Sequence, residues 1–138
     1  MKQFKSIQFR WNEPLGVPEC PYAYRWVFIF FGYSIRIHNF LRSEPITHQH
    51  DHAWWFLTLV LKGSYTDVSP NGDDVMKQGS IRYRQAKHPH YVKVSEGGCW
   101  TILITGKPNR NWGFWVDGKF KRPLKYFHKF GHPPCSEQ

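Results

Sequence analysis

The sequence predicts an all-β, single-domain fold of sandwich or barrel type, and three observations predict it. Apolar residues recur with period two or in short runs, and no stretch sustains a helical period. Ten prolines and eleven glycines are spread along the chain and cut it into strand-length pieces. Seven Trp, seven Tyr and eleven Phe among 138 residues supply the large apolar surfaces of one core and exclude a disordered chain.

Taken in order, residues 1–22 read as an N-terminal arm, and the first twenty residues are the one place where a short helix fits. Residues 23–31 and 33–40 form a hairpin around Gly32. Residues 46–52 alternate. The run 54–62 is a strand buried on both faces, and Gly63 turns it into 64–68. Residues 69–74 are a turn with Asn71-Gly72 at the tip. Residues 80–85 alternate; 90–94 and 99–105 are strands separated by the turn Ser95-Glu96-Gly97-Gly98. Residues 111–116 and a short Lys-Phe-Lys-Arg run complete the barrel, which spans 23–120. Residues 121–138 read as a basic C-terminal tail.

Nineteen Lys and Arg against ten Asp and Glu give a formal charge of +9, which favours anionic partners: a small anionic molecule or nucleic acid. The densest basic cluster, residues 118–129, reads as a solvated segment able to touch a polyanion. The N-terminus lacks the apolar core of a signal peptide, and Trp26 to Phe31 is too short to cross a bilayer, so no membrane role is expected. Three cysteines without CxxC spacing fit a reducing, cytoplasmic setting, with Cys20 and Cys135 as bystanders.

The chemistry concentrates in His48, His50 and His52. Residues two apart on a strand share a face, with Cβ atoms roughly 6–7 Å apart. Two such imidazoles can grip one metal ion, leaving the third further out. Bare imidazoles facing a core are costly, and a metal satisfies their acceptor nitrogens. His90 offers a third ligand from a distant strand, while His88 reads as a turn residue. His128, His132 and Cys135 near the C-terminus could in principle hold zinc, but their spacing and the prolines suit a loose tail.

These residues resemble the two motifs of the cupin superfamily, G(x)5HxH(x)3–4E(x)6G and G(x)5PxG(x)2H(x)3N. His50 and His52 fall on the HxH pair, Phe56 on the glutamate and Gly63 on the closing glycine. Counting from Gly79, Gln85 and Lys87 replace the proline and glycine, His90 falls on the histidine, and Val94 replaces the asparagine. Residues 33–120 are also similar to small bacterial and phage cupin-like proteins with a HDHPW-type motif. The resemblance implies a double-stranded β-helix, or jelly-roll barrel, and a metal site of His50, His52 and His90. Because Phe56 cannot ligate, the site implied is three histidines plus water. Such sites hold one transition-metal ion in cupins that resemble cysteine dioxygenases, with Fe(II) favoured here and Zn, Ni or Mn as alternatives. Homodimers are common in the superfamily, and the aromatic N-terminal hairpin is a candidate surface.

Around that site Phe56, Thr58 and Val60 share the inward face. Tyr83 is a candidate proton donor, and Arg82 and Arg84 a candidate anion clamp, with Arg110 a weaker contact. His48 and His88 would stand behind the ligands. Three functions follow. The first is a mononuclear metal enzyme of dioxygenase type acting on a small anionic or aromatic molecule. The second is a metal-free sugar-nucleotide epimerase or isomerase using His52 and Tyr83, for which no buried Asp partner is evident. The third is a binding module for an anionic ligand or nucleic acid.

Overall fold

The computed structural model describes residues 7–45 and 48–131. Its strands are β1 (Ile7–Val17), β2 (Cys20–Phe30), β3 (Tyr33–Phe40), β4 (Gln49–His50), β5 (Phe56–Ser69), β6 (Gly72–Met76), β7 (Ile81–Arg84), β8 (Tyr91–Thr105), β9 (Phe114–Val116) and β10 (Lys119–Lys121). A helix, α1 (Pro123–Phe130), follows. The large sheet runs β1-β2-β3-β8-β5-β6, with β7 also on β5; the small sheet runs β10-β9-β4. Every pairing is antiparallel, the strand order and crossovers are those of a jelly roll, and the two sheets meet where His50 and His90 exchange backbone hydrogen bonds at 2.8 and 2.9 Å.

Two hairpins follow directly from their turn residues. Phe31-Gly32 and Asp117-Gly118 both take positive φ, as a tight two-residue hairpin requires, and join β2 to β3 and β9 to β10. At the corner of β5 and β8 glycine means something other than a turn. Gly63 does not end a strand: β5 continues through it, and β8 likewise runs through Gly97 and Gly98. The two strands bend together there. Gly63 has φ +77°, and a Cβ on it would fall on the Gly98 carbonyl oxygen; a Cβ on Gly98 would stand 2.6 Å from the Phe40 carbonyl oxygen. These glycines make a barrel corner, where three backbones approach too closely for side chains.

The register shifts at this corner, between Val60 and Lys62 and again between Gly63 and Tyr65. Inward parity therefore changes along β5, from Phe56, Thr58 and Val60 to Tyr65 and Asp67, all buried. Among the described residues of the N-terminus there is no helix; residues 7–17 instead pair with β2 and extend the sheet. At the other end, residues 123–130 are helical rather than a loose tail. Pro123 opens the helix, Gly131 follows it with φ +70°, and Tyr126 is buried against Phe114 with ring centroids 4.0 Å apart. Of the three zinc candidates, His128 lies on α1, and His132 and Cys135 lie outside the described residues.

The core proper is Ala23, Phe40, Val60, Tyr65, Met76, Val92, Val94 and Cys99, with Leu15 and Tyr22 against it. Burying each Val or Met fully contributes about 1.5–3 kcal/mol. Cys99 is a free thiol within it, whereas Cys20 is disulfide-bonded, a role its sequence setting did not suggest. No described helix is long and apolar enough to cross a membrane.

Candidate metal centre

The barrel encloses a cavity of about 790 Å³ between the two sheets. His50, on β4, and His52, just beyond it, enter from one side, and His90, just before β8, from the other. One ligand nitrogen of each lies within 4.8 Å of the other two, and the ring centroids are 5.0–5.2 Å apart. Asp51, between the two histidines, points away and pins the segment. It is fully buried, accepts hydrogen bonds from the Gly113 N–H at 2.8 Å and Trp115 Nε1 at 3.1 Å, and pairs with Arg110. Arg110 also donates to the His52 carbonyl at 3.0 Å, so it positions the His-x-His segment and is not among the residues that line the cavity.

Asp67, reached by the parity change on β5, stands behind His90. Its carboxylate meets His90 Nδ1 at 2.6 Å, His88 Nε2 at 3.0 Å and Arg84 at 3.5 Å. A carboxylate on Nδ1 fixes the His90 tautomer with its proton there and turns the Nε2 lone pair to the other imidazoles. Burial raises the Asp67 carboxyl, but the hydrogen bonds from His88 and His90 and the charges of His90 and Arg84 outweigh it and hold Asp67 well below its ordinary value. Burial lowers His50 to about 3 and His52 well below 6.5, with neighbouring His90 acting in the same direction. Both rings are therefore neutral at pH 7, the form that ligates a metal. His52 Nδ1 is buried with no hydrogen-bond partner. The donor set thus fits a borderline transition-metal ion, in agreement with three imidazole nitrogens of one cluster and an open side facing the cavity.

Phe56 occupies the position of the superfamily's carboxylate, its ring 4.8 Å from His52 and 5.7 Å from His90. A carboxylate nevertheless stands nearby. Glu44, at the place of the first motif's opening glycine, lies 3.9 Å from His50 Nε2 and accepts the Val92 N–H at 2.7 Å. Burial raises it to about 7, countered by His90 and the Val92 N–H.

The remaining sequence candidates are placed differently. Thr58 lines the cavity. His48 bonds the Tyr126 hydroxyl through Nδ1 at 2.6 Å and packs on Phe130, so it anchors α1. Tyr83 is 59 % exposed on the outer face beside Trp55 and does not reach the cavity, because β7 aligns it with outward Leu57. Arg82 and Arg84 bind Asp74, Arg84 also supporting Asp67, so neither is a free anion clamp. The cationic side chains that do line the cavity are Arg25 and Arg36. The absence of a buried Asp beside a histidine, expected from the sequence, is overturned by Asp67.

No protein-family model and no curated protein matches the sequence. Solved structures do. The DMSP lyase DddQ from Ruegeria pomeroyi is similar over 77 % of this chain and 59 % of its own, at 12 % identity and TM-score 0.59. Fe(II) HppE is similar over 77 % and 60 %, at 11 % identity and TM-score 0.56. The fold is that of the cupins. An HTH_3 family transcriptional regulator from Vibrio cholerae is also similar, over 71 % and 58 %, at 13 % identity and TM-score 0.55. The chain thus spans about three fifths of the length of these similar structures.

Proposed function

We propose that this protein is a mononuclear metal enzyme of dioxygenase type, with His50, His52 and His90 holding one transition-metal ion, Fe(II) in preference to Zn, Ni or Mn. The observation that carries the reading is the convergence of three imidazoles, two of them held neutral by burial, on one cavity wall whose carboxylate position is filled by Phe56. When bound, Fe(II) would supply redox chemistry toward O2 at the positions the three imidazoles leave open. The four electrons O2 takes up would come from the substrate, which would gain both oxygen atoms, so no separate reductant would be needed. The chain's own residues do the rest. Asp67 orients His90, Asp51 orients the His50/His52 pair, and Phe56 and Leu103 keep the cavity side apolar. Glu44 is placed to hold a proton beside His50. The similar HppE structure is an Fe(II) form, which is consistent with the ion chosen. Anaerobic loading with Fe(II), then exposure to 18O2 with a panel of small aromatic and aliphatic acids, tests it. A product heavier by two labelled oxygens is expected; oxygen uptake equal with Zn(II) and Fe(II) would refute the dioxygenase step.

The second reading is a metal-free acid–base enzyme of the epimerase or isomerase kind, favoured by the Asp67–His90 pair, with Tyr65 in the cavity and Tyr83 outside it. Turnover that survives complete chelation would select it.

We also propose that a second copy of the chain covers the outer face of the large sheet. That face carries Ile7, Phe9, Trp11, Phe30, Ile35, Ile81, Tyr83 and Ile104, with Phe9 75 % and Trp11 85 % exposed. Together they present on the order of 1,000 Å² of apolar surface, against about 800 Å² per partner in a standard interface. Light scattering should give about twice the 16.5 kDa chain mass. Phe9→Asp with Trp11→Asp should give the single mass; a wild-type monomer would contradict the pairing.

A further inference from the structure

A half-buried cation without a carboxylate in ion-pair distance stands on the inner wall of the large sheet. Arg36, on β3, lines the cavity, donates from Nε to Ser34 Oγ at 3.0 Å and lies over the Trp54 ring at 4.9 Å. No described carboxylate comes within ion-pair distance of it, whereas its neighbour Arg25 is neutralised by Glu13. Burial lowers Arg36 to about 10, which leaves it charged at neutral pH. A buried charge without a partner is expensive, and a ligand of opposite sign removes that cost.

Two further groups beside it lack partners. His38, the next inward residue of β3, is buried with Nδ1 unpaired. Its register partner on β8, Thr101, is buried with Oγ1 unpaired. Burial and the charges of Arg25 and Arg36 keep His38 neutral, so its ring can donate one N–H. One guanidinium, one imidazole and one hydroxyl therefore line one stretch of the cavity with unused hydrogen-bonding capacity.

We propose that Arg36, His38 and Thr101 form a subsite for the carboxylate of a small monocarboxylic acid. The charge count selects the class: one uncompensated cation plus neutral donors matches a single negative charge. A phosphate dianion would leave its second charge without a cation, since Arg25 is already paired with Glu13. The Trp54 ring connects this subsite to the metal centre, since it stacks on His52 at 4.8 Å while Arg36 lies over it. An acid anchored on Arg36 thus places its remaining atoms beside the three histidines. As a substrate assignment this rests on the metal-enzyme reading; as a binding site it does not.

Benzoate, benzamide and phenylphosphonate are the probes, titrated by calorimetry against the full chain as purified and again after chelation. Benzoate is expected to bind in both states, at least tenfold more tightly than benzamide or phenylphosphonate. Arg36→Met should weaken benzoate at least tenfold, Arg36→Lys should restore part of the loss, and metal content should stay unchanged in both. Thr101→Val, close in shape and without change of charge, should weaken benzoate several-fold and serves where Arg36→Met does not fold. Benzoate affinity unaltered in the folded variants, or lost on chelation of the wild type, overturns the subsite. Tighter phenylphosphonate than benzoate overturns the monocarboxylate class. A protein that holds no metal yet binds benzoate through Arg36 keeps the subsite and removes the metal-enzyme reading.

Discussion

Phe56 and Glu44 show how a single position sets the chemistry of this centre. A ring at 56 leaves the three imidazoles without a carboxylate from that position, while Glu44 approaches from another segment, 3.9 Å from His50. Phe56→Glu would place a carboxylate beside both His52 and His90. Metal affinity, read by competition with a chromophoric chelator, is expected to rise, and oxygen uptake to fall as an open position is filled. A Phe56→Glu protein with unchanged affinity would show that the ion does not sit against β5. Asp67 acts through His90. Asp67→Asn keeps the shape but weakens the grip on Nδ1–H, and metal affinity should drop about 10–100-fold, the usual cost of removing such a support. Unchanged affinity would reduce Asp67 to an ion pair with Arg84.

At the scale of elements, the corner of β5 and β8 decides which side chains reach the cavity. Gly63→Ala would need φ near +77° and would push a methyl into the Gly98 carbonyl. A loss of about 2–4 kcal/mol in urea unfolding, with unchanged slope, is expected. A change within about 0.5 kcal/mol would mean that the corner can relax. The same corner explains what the sequence conceals. His50, His52 and His90 are legible because period-two spacing and glycine-anchored counts do not depend on how the strands bend. Asp67 is not, because its face depends on a register shift that reads as a turn at Gly63. Tyr83 and Arg82 were ambiguous for a related reason: an alternating strand has two faces, and only its alignment with Phe56 to Leu59 chooses between them. Glu44, in an irregular segment, carries no periodic signal at all. Helix α1 is only eight residues long, too short for a 3.6-residue pattern to stand out from a basic tail.

At the scale of the whole molecule, burial in the barrel keeps His38, His50 and His52 neutral, and that makes the metal-free protein sensitive to acid. His38 and His50 take up protons near 3 when folded and His52 well below 6.5, against about 6.5 for each in the unfolded chain. Below pH 6.5 the unfolded state therefore binds more protons, and stability falls as pH drops. Glu44 opposes this, since its proton is held up to about 7 when folded and the benefit is lost as pH rises from 4.5 to 7, but it is one group against three. The melting temperature of chelated protein should decline from pH 7 to pH 5; a flat profile would place the imidazoles in contact with bulk water. The most direct measurement is elemental analysis of protein purified without a histidine tag. The account predicts close to one transition-metal ion per chain, lost in His50→Ala and in His90→Ala while both remain folded. Metal-free wild-type protein that takes up no Fe(II), or His90→Ala that retains the ion, would contradict it.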